Sequence, residues 1–131
     1  AMKHIIDRIN TIEDAYVSLG IDPKDYILTI PSRGDLNKLV VKTNAQIQLS
    51  ILGRCVNGDW KEDWNNKSQK KFVPYFGKTS NGWVLDDVAD FLYYSNCSVW
   101  LYDSEYTARK VCEKFMYLYI EYITGEKQII P

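Results

Sequence analysis

Asp35-Leu36-Asn37-Lys38-Leu39-Val40-Val41-Lys42-Thr43-Asn44-Ala45-Gln46-Ile47-Gln48-Leu49-Ser50-Ile51-Leu52-Gly53-Arg54-Cys55-Val56-Asn57 is the run whose reading decides what kind of domain this chain builds. Leu36, Leu39, Val40, Thr43, Ile47, Ile51 and Cys55 recur at three- and four-residue spacing, with Leu49, Leu52 and Val56 beside them, which is the apolar stripe of an amphipathic helix. Val40, Val41 and Thr43 are β-branched and favour a strand locally, but the sustained helical period outweighs that preference. One long helix over about 35 to 57 follows, with Asp35 as its N-cap and Asn57-Gly58 as its stop.

Toward the N-terminus, Ile5, Ile6 and Ile9 form a short apolar run, broken by Asn10-Thr11. Ile12, Ala15, Tyr16 and Leu19 then predict a helix over 12 to 19, capped by Thr11 and Asp14 and ended by Gly20. Pro23 suits a short helical turn, and a loop runs through Ile30-Pro31-Ser32-Arg33-Gly34.

Toward the C-terminus, Lys71 to Phe76 alternates, Asn81-Gly82 marks a turn, and Trp83-Val84-Leu85 resumes, so a hairpin with a longer loop is predicted. Asp86 to Tyr94 fits a helix or a strand. After a turn at Ser95-Asn96, Cys97 to Tyr102 reads as a third strand. Ser104 or Asp103 caps a final helix over about 104 to 123, with Ala108, Val111, Cys112, Phe115, Tyr119 and Tyr122 on one face and Tyr106, Met116, Tyr117, Ile120 and Ile123 on the other. A stripe that wide is either sandwiched within one chain or meets a second copy, through Tyr106, Tyr117, Ile120 and Ile123. The expected architecture is one α+β domain over residues 1–131: two N-terminal helices, a small antiparallel sheet of about three strands, and a long C-terminal helix packed beside the long helix on one face of the sheet.

The 131 residues suit a single core, and 46% hydrophobic with 25% charged residues is the balance of a globular chain. A net charge of −1 supplies no whole-molecule field for a polyanion or an anionic membrane, so nucleic-acid binding would have to be local. Cys55, Cys97 and Cys112 are odd in number and never in a C-x-x-C pair, so free thiols in a reducing cytoplasm are expected, with neither a disulfide framework nor a structural zinc site. No apolar run is long enough to cross a membrane and no signal peptide is read. Ala1 ahead of Met2 reads as a residue left by cloning and is set aside.

Between the long helix and the hairpin lies the most unusual segment, Gly58 to Phe76, in which Trp60, Trp64, Phe72, Tyr75 and Phe76 alternate with Lys61, Lys67, Lys70 and Lys71. Cations for phosphates and ring faces for bases are the ingredients of a single-stranded nucleic-acid site. The same ingredients describe an edge hairpin protected by lysine, with its tryptophans clamped onto helix and sheet, or a surface offered to a protein.

Enzymatic readings have less to stand on. His4, the single histidine, has no evident partner, and Cys55 and Cys112 fall on apolar stripes where thiols are inert. There is no phosphate-binding glycine loop, nucleophile elbow or zinc-protease motif. The carboxylate groups Asp59, Glu62, Asp63 and Asp86, Asp87, Asp90 could hold a hard cation or do acid–base work, but they do not match an EF-hand loop, and solvation accounts for them.

Trp60-x-x-x-Trp64-Asn65 with Gln69-x-Lys71-Phe72-x-Pro74-Tyr75-Phe76, followed by Ser104-x-x-x-Ala108-x-x-x-Cys112-x-x-Phe115-x-x-Leu118-Tyr119, resembles a group of short uncharacterised proteins of Bacteroidota and their crAss-like phages. The likeness spans roughly residues 11 to 123, and Asp63 ahead of Trp64 fits it. Asp86 to Tyr94 departs from it, being more acidic and aliphatic than the group's glycine-rich, aromatic stretch. The resemblance implies a phage or mobile-element accessory protein acting in the cytoplasm of a bacterial host, and carries over no activity, cofactor, metal or catalytic residue. The function expected is non-enzymatic binding of another macromolecule, a protein partner or a second copy. Weak single-stranded nucleic-acid binding through Trp60, Trp64, Lys67, Lys70, Lys71, Phe72, Tyr75 and Phe76 is the first alternative, and a small enzyme using the clustered carboxylates is the second.

Overall fold

The computed structural model describes residues 4–27, 34–92 and 100–130. Along the chain run a 3-10 turn Ile5–Arg8, helix α1 Ile12–Leu19, a second 3-10 turn Pro23–Tyr26, helix α2 Asp35–Asn57, strands β1 Lys71–Thr79 and β2 Gly82–Phe91, and helix α3 Glu105–Thr124. The chain is thus α+β, with three α-helices and a two-stranded antiparallel sheet among the described residues. The predicted loop over 30–33 and the turn at 95–96 lie outside them.

Local chemistry sets the helix ends. The Thr11 hydroxyl accepts the Asp14 N–H at 3.2 Å while the Asp14 carboxylate accepts the Thr11 N–H at 3.0 Å, closing a capping box. Helix α2 begins at Asp35 with Gly34 in the cap position, one residue ahead of the cap predicted from sequence. It ends at Gly58, whose φ of 58° suits glycine and where a Cβ would come 2.8 Å from Ile5 Cδ1. Ser104 Oγ accepts the Thr107 N–H at 3.1 Å to cap α3.

Helices α2 and α3 run antiparallel. Gly125, just past α3, packs on Lys38 near the start of α2, and the Asn57 side chain at the other end donates to Leu101 O at 2.9 Å and accepts from Asp103 N at 3.1 Å. Leu49, Leu52 and Val56 of α2 meet Val111, Phe115 and Leu118 of α3, with Ile6, Ile9, Ala15 and Tyr16 closing one end, all buried. Each such side chain contributes about 1.5–3 kcal/mol by leaving water.

The hairpin sits on α3, with the Phe76 and Tyr119 ring centres 4.6 Å apart and Asp87 paired to Arg109 at 3.2 Å. Helix α3 therefore lies between the hairpin and α2, whereas the sequence reading set the two long helices side by side on the sheet. The contacts to α2 and the hairpin come from Val111, Phe115, Leu118 and Tyr119, whereas on the second apolar side Tyr106 is exposed and Met116, Tyr117, Ile120 and Ile123 are half-buried. Helix α3 bends at Phe115 (φ −128°, ψ 27°), and the adjacent Lys114 reaches back to donate to Ile6 O at 2.8 Å, Ile9 O at 3.0 Å and Asn10 Oδ1 at 3.0 Å.

Two further expectations are corrected in part. Of Asp86 to Tyr94, read as helix or strand, Asp86 to Phe91 is strand, with Asp87 to Phe91 paired to Lys71 to Tyr75; Asp87 meets Arg109 and Asp90, on the opposite parity, lies 4.0 Å from Lys70, while 93–94 lie outside the described residues. In place of a third strand, the described residues hold one antiparallel bridge, Phe72 to Tyr102, with N···O distances of 3.1 and 2.8 Å. The rest of that predicted strand, 97–99, lies outside the described residues. No helix among the described residues is long and apolar enough to cross a membrane.

Candidate functional site

The segment joining α2 to β1 is held by its own side chains. Gln69 accepts the Asp63 N–H at 2.7 Å and donates to Lys61 O at 2.8 Å, pinching the segment across its width. Asp63 accepts the Asn65 N–H at 3.0 Å and Asn66 accepts the Ser68 N–H at 2.9 Å, each forming a local turn. Lys71, the first residue of β1, is fully buried and turns back to donate to Gln69 O at 3.0 Å and Asn66 O at 3.4 Å, with its ammonium 4.9 Å from the centre of the Trp64 ring.

These contacts divide the predicted aromatic and basic site. Lys71 is an internal tie. Phe72 and Phe76 are half-buried against the core, Phe76 on Tyr119. Lys67, Lys70 and Tyr75 are exposed, and Lys70 is 4.0 Å from Asp90. Trp64 is half-buried beneath Lys71. Trp60, also half-buried, stands apart from the core cluster and lines a cleft.

That cleft, of about 720 Å³, opens between the 3-10 turn with the end of α1, the last turns of α2, and the start of the joining segment. Its volume falls within the roughly 300–1,000 Å³ typical of ligand sites. Ser50, Gly53, Arg54 and Asn57 form its α2 wall, at a spacing that puts them on one helix face. Ile5, Arg8 and Leu19 form the facing wall, and Asp59, Trp60, Lys61 and Glu62 the lip. Arg8, Arg54, Lys61, Asp59 and Glu62 are all exposed, and among the described residues none of the five makes an ion pair.

A fold-based reason exists for the two arginines separately, since each lies in the last turn of its helix, where a cation complements the carbonyl end. It does not account for their meeting around Trp60. Sequence reasoning missed Arg8 and Arg54, and the signal it passed over was the small and polar stripe Ser50, Gly53, Arg54, Asn57 beside the buried one.

The remaining candidates sit elsewhere. Tyr106 is exposed, donates to Asp7 Oδ1 at 2.5 Å and stacks on His4 with centres 4.4 Å apart, while Tyr117, Ile120 and Ile123 are half-buried on α3. Burial holds the Cys112 thiol up at about 12, and hence protonated. Among the described residues no three His, Cys, Asp or Glu side chains come together to hold a metal ion. Compared with family models, with curated proteins and with solved structures, the chain matches none.

Proposed function

We propose that this chain is a non-enzymatic accessory protein of a phage or mobile element, acting inside a bacterial host, and that it binds another macromolecule at the Trp60 cleft. The observation that carries the reading is the set of cations Arg8, Arg54 and Lys61, without an ion pair among the described residues, in one cleft with a tryptophan that stands outside the core cluster. Tryptophan and arginine are the side chains that most often concentrate binding energy, one by area and the other by directed hydrogen bonds. A segment that spends Asp63, Asn66, Gln69 and Lys71 on its own geometry presents such a surface with little ordering left to do on binding.

A photo-crosslinking amino acid at Ser50, exposed in the cleft, tests this against the same group at Glu113, exposed on α3 away from it. In host cells an adduct is expected from Ser50, absent from Glu113 and lost when Trp60→Ala is added. Equal yields at the two positions, or no adduct from Ser50, would overturn the reading.

A further inference from the structure

We infer that the occupant of the cleft is an extended acidic peptide segment of a partner protein, with carboxylates flanking one aromatic or large apolar side chain; this rests on the cleft being the binding site. Arg8 and Arg54 come from different walls and Lys61 from the lip, so the cations are spread over three elements around Trp60 instead of forming one cluster. A guanidinium meets a carboxylate through two parallel hydrogen bonds, and Arg8 and Arg54 have both forks uncommitted among the described residues. On the lip of the same cleft the indole of Trp60 offers a ring for an apolar anchor. Ser50 and Gly53 on the α2 wall are small enough for a peptide backbone to approach.

Charge pattern separates this occupant from a nucleic-acid strand. Asp59 and Glu62 flank Lys61 on the lip, so a regular polyanion laid along the cleft would pass two carboxylates. The chain as a whole carries a net charge of −1 and adds no long-range attraction. Lys71, one of the cations of the predicted nucleic-acid site, is buried and committed to two carbonyls. A peptide can place acids opposite Arg8 and Arg54 and an amide or hydroxyl opposite Asp59 and Glu62, which a phosphodiester chain cannot.

Three fluorescein-labelled probes decide the matter with the full chain: a ten-residue peptide of Asp, Glu and Gly around one central Phe, its counterpart with Lys for every acid, and a twelve-nucleotide oligothymidylate. The acidic peptide is expected to bind at least ten-fold more tightly than the other two and to change tryptophan fluorescence, a change that Trp60→Phe reduces, Trp100 also lining the cleft. Arg54→Glu should weaken it at least ten-fold, and Arg8→Glu with Arg54→Glu should turn the preference toward the lysine peptide. Arg8 is exposed on a different element, so Arg8→Glu gives the same reading should Arg54→Glu fail to fold. Oligothymidylate binding more tightly than the acidic peptide would overturn the inference in favour of a nucleic-acid strand. Acidic-peptide binding that is absent, or indifferent to both arginine variants, would overturn it too. If the Ser50 adduct persists in that case, the cleft remains the binding site and only the class of occupant falls; if the adduct is also missing, both fall.

Discussion

The ammonium of Lys71 lies 4.9 Å from the centre of the Trp64 ring while donating to the carbonyls of Gln69 and Asn66. A fully buried lysine is costly unless all of its donors are occupied, and here two carbonyls and a ring face take the three directions. Lys71→Met keeps the stem and removes the donors. Because the two carbonyls are only partly buried, water can reach them, and the global cost is expected to be about 1–2 kcal/mol. Locally the effect is larger: hydrogen exchange should accelerate across residues 61–70, and Trp64 emission should shift to the red. Unchanged exchange in this segment would show that the ammonium does not hold it.

Trp60 and Trp64 differ in what they do, although the sequence presents them as a pair. Trp60 stands apart from the core cluster, so Trp60→Ala should lower stability by under about 1 kcal/mol. Trp64 carries the Lys71 contact, and Trp64→Ala should cost about 2 kcal/mol by uncovering a buried charge. Chemical denaturation of the two variants checks this. Similar losses of 2 kcal/mol or more from both would return Trp60 to a structural role.

The Tyr106 hydroxyl holds the Asp7 carboxyl below its ordinary value, and the same bond raises the Tyr106 hydroxyl. A carboxyl whose folded pKa is lowered adds stability that is present above its unfolded value, near 4, and is lost as pH falls through the folded value. Tyr106→Phe should therefore move the Asp7 titration upward in an NMR series and destabilise the protein at neutral pH. The gap between parent and variant should narrow below pH 4. A gap that stayed constant down to the lowest accessible pH would show that the loss does not pass through the Asp7 charge.

Helices were legible because their signals are local. Thr11 with Asp14, the α2 period and Ser104 need no tertiary information, and the predicted ends agree with the observed ones within a residue or so. The predicted α2 stripe, however, is on the wrong face: Leu36 and Leu39 are exposed, only Cys55 of the predicted seven is buried, and Ala45, Leu49, Leu52 and Val56 fill the core. The aromatic and basic segment was read by composition, which places lysine at the surface. Strand parity says otherwise: Lys71 and Val73 share a face of β1, and both are buried. Tyr75, next on the same parity, is exposed where the register shifts and Asp86 of β2 has no partner across the ladder. The cleft was not legible, because Arg8 and Arg54 are 46 positions apart and meet only once Ile5 has packed onto Gly58.

A fourth prediction concerns the Tyr102 and Tyr119 hydroxyls, which meet at 2.5 Å in the core with both residues at or below 1% exposure. Tyr102 bridges to β1 and Tyr119 lies on α3 under Phe76, so this contact fastens the layers where the hairpin meets the helices. Burial raises both hydroxyls well above the ordinary tyrosine value, and each stays protonated through the neutral range. Two hydroxyls sharing one bond leave one hydrogen without an acceptor among the described residues. Tyr102→Phe or Tyr119→Phe alone breaks the bond and strands the other oxygen, at an expected cost of about 1–3 kcal/mol each. Replacing both removes donor and acceptor together and keeps the rings, so the double variant should fall within about 1 kcal/mol of the parent. A thermodynamic cycle measured by denaturant melts tests the coupling. Strictly additive losses would mean that the two hydroxyls act independently of one another.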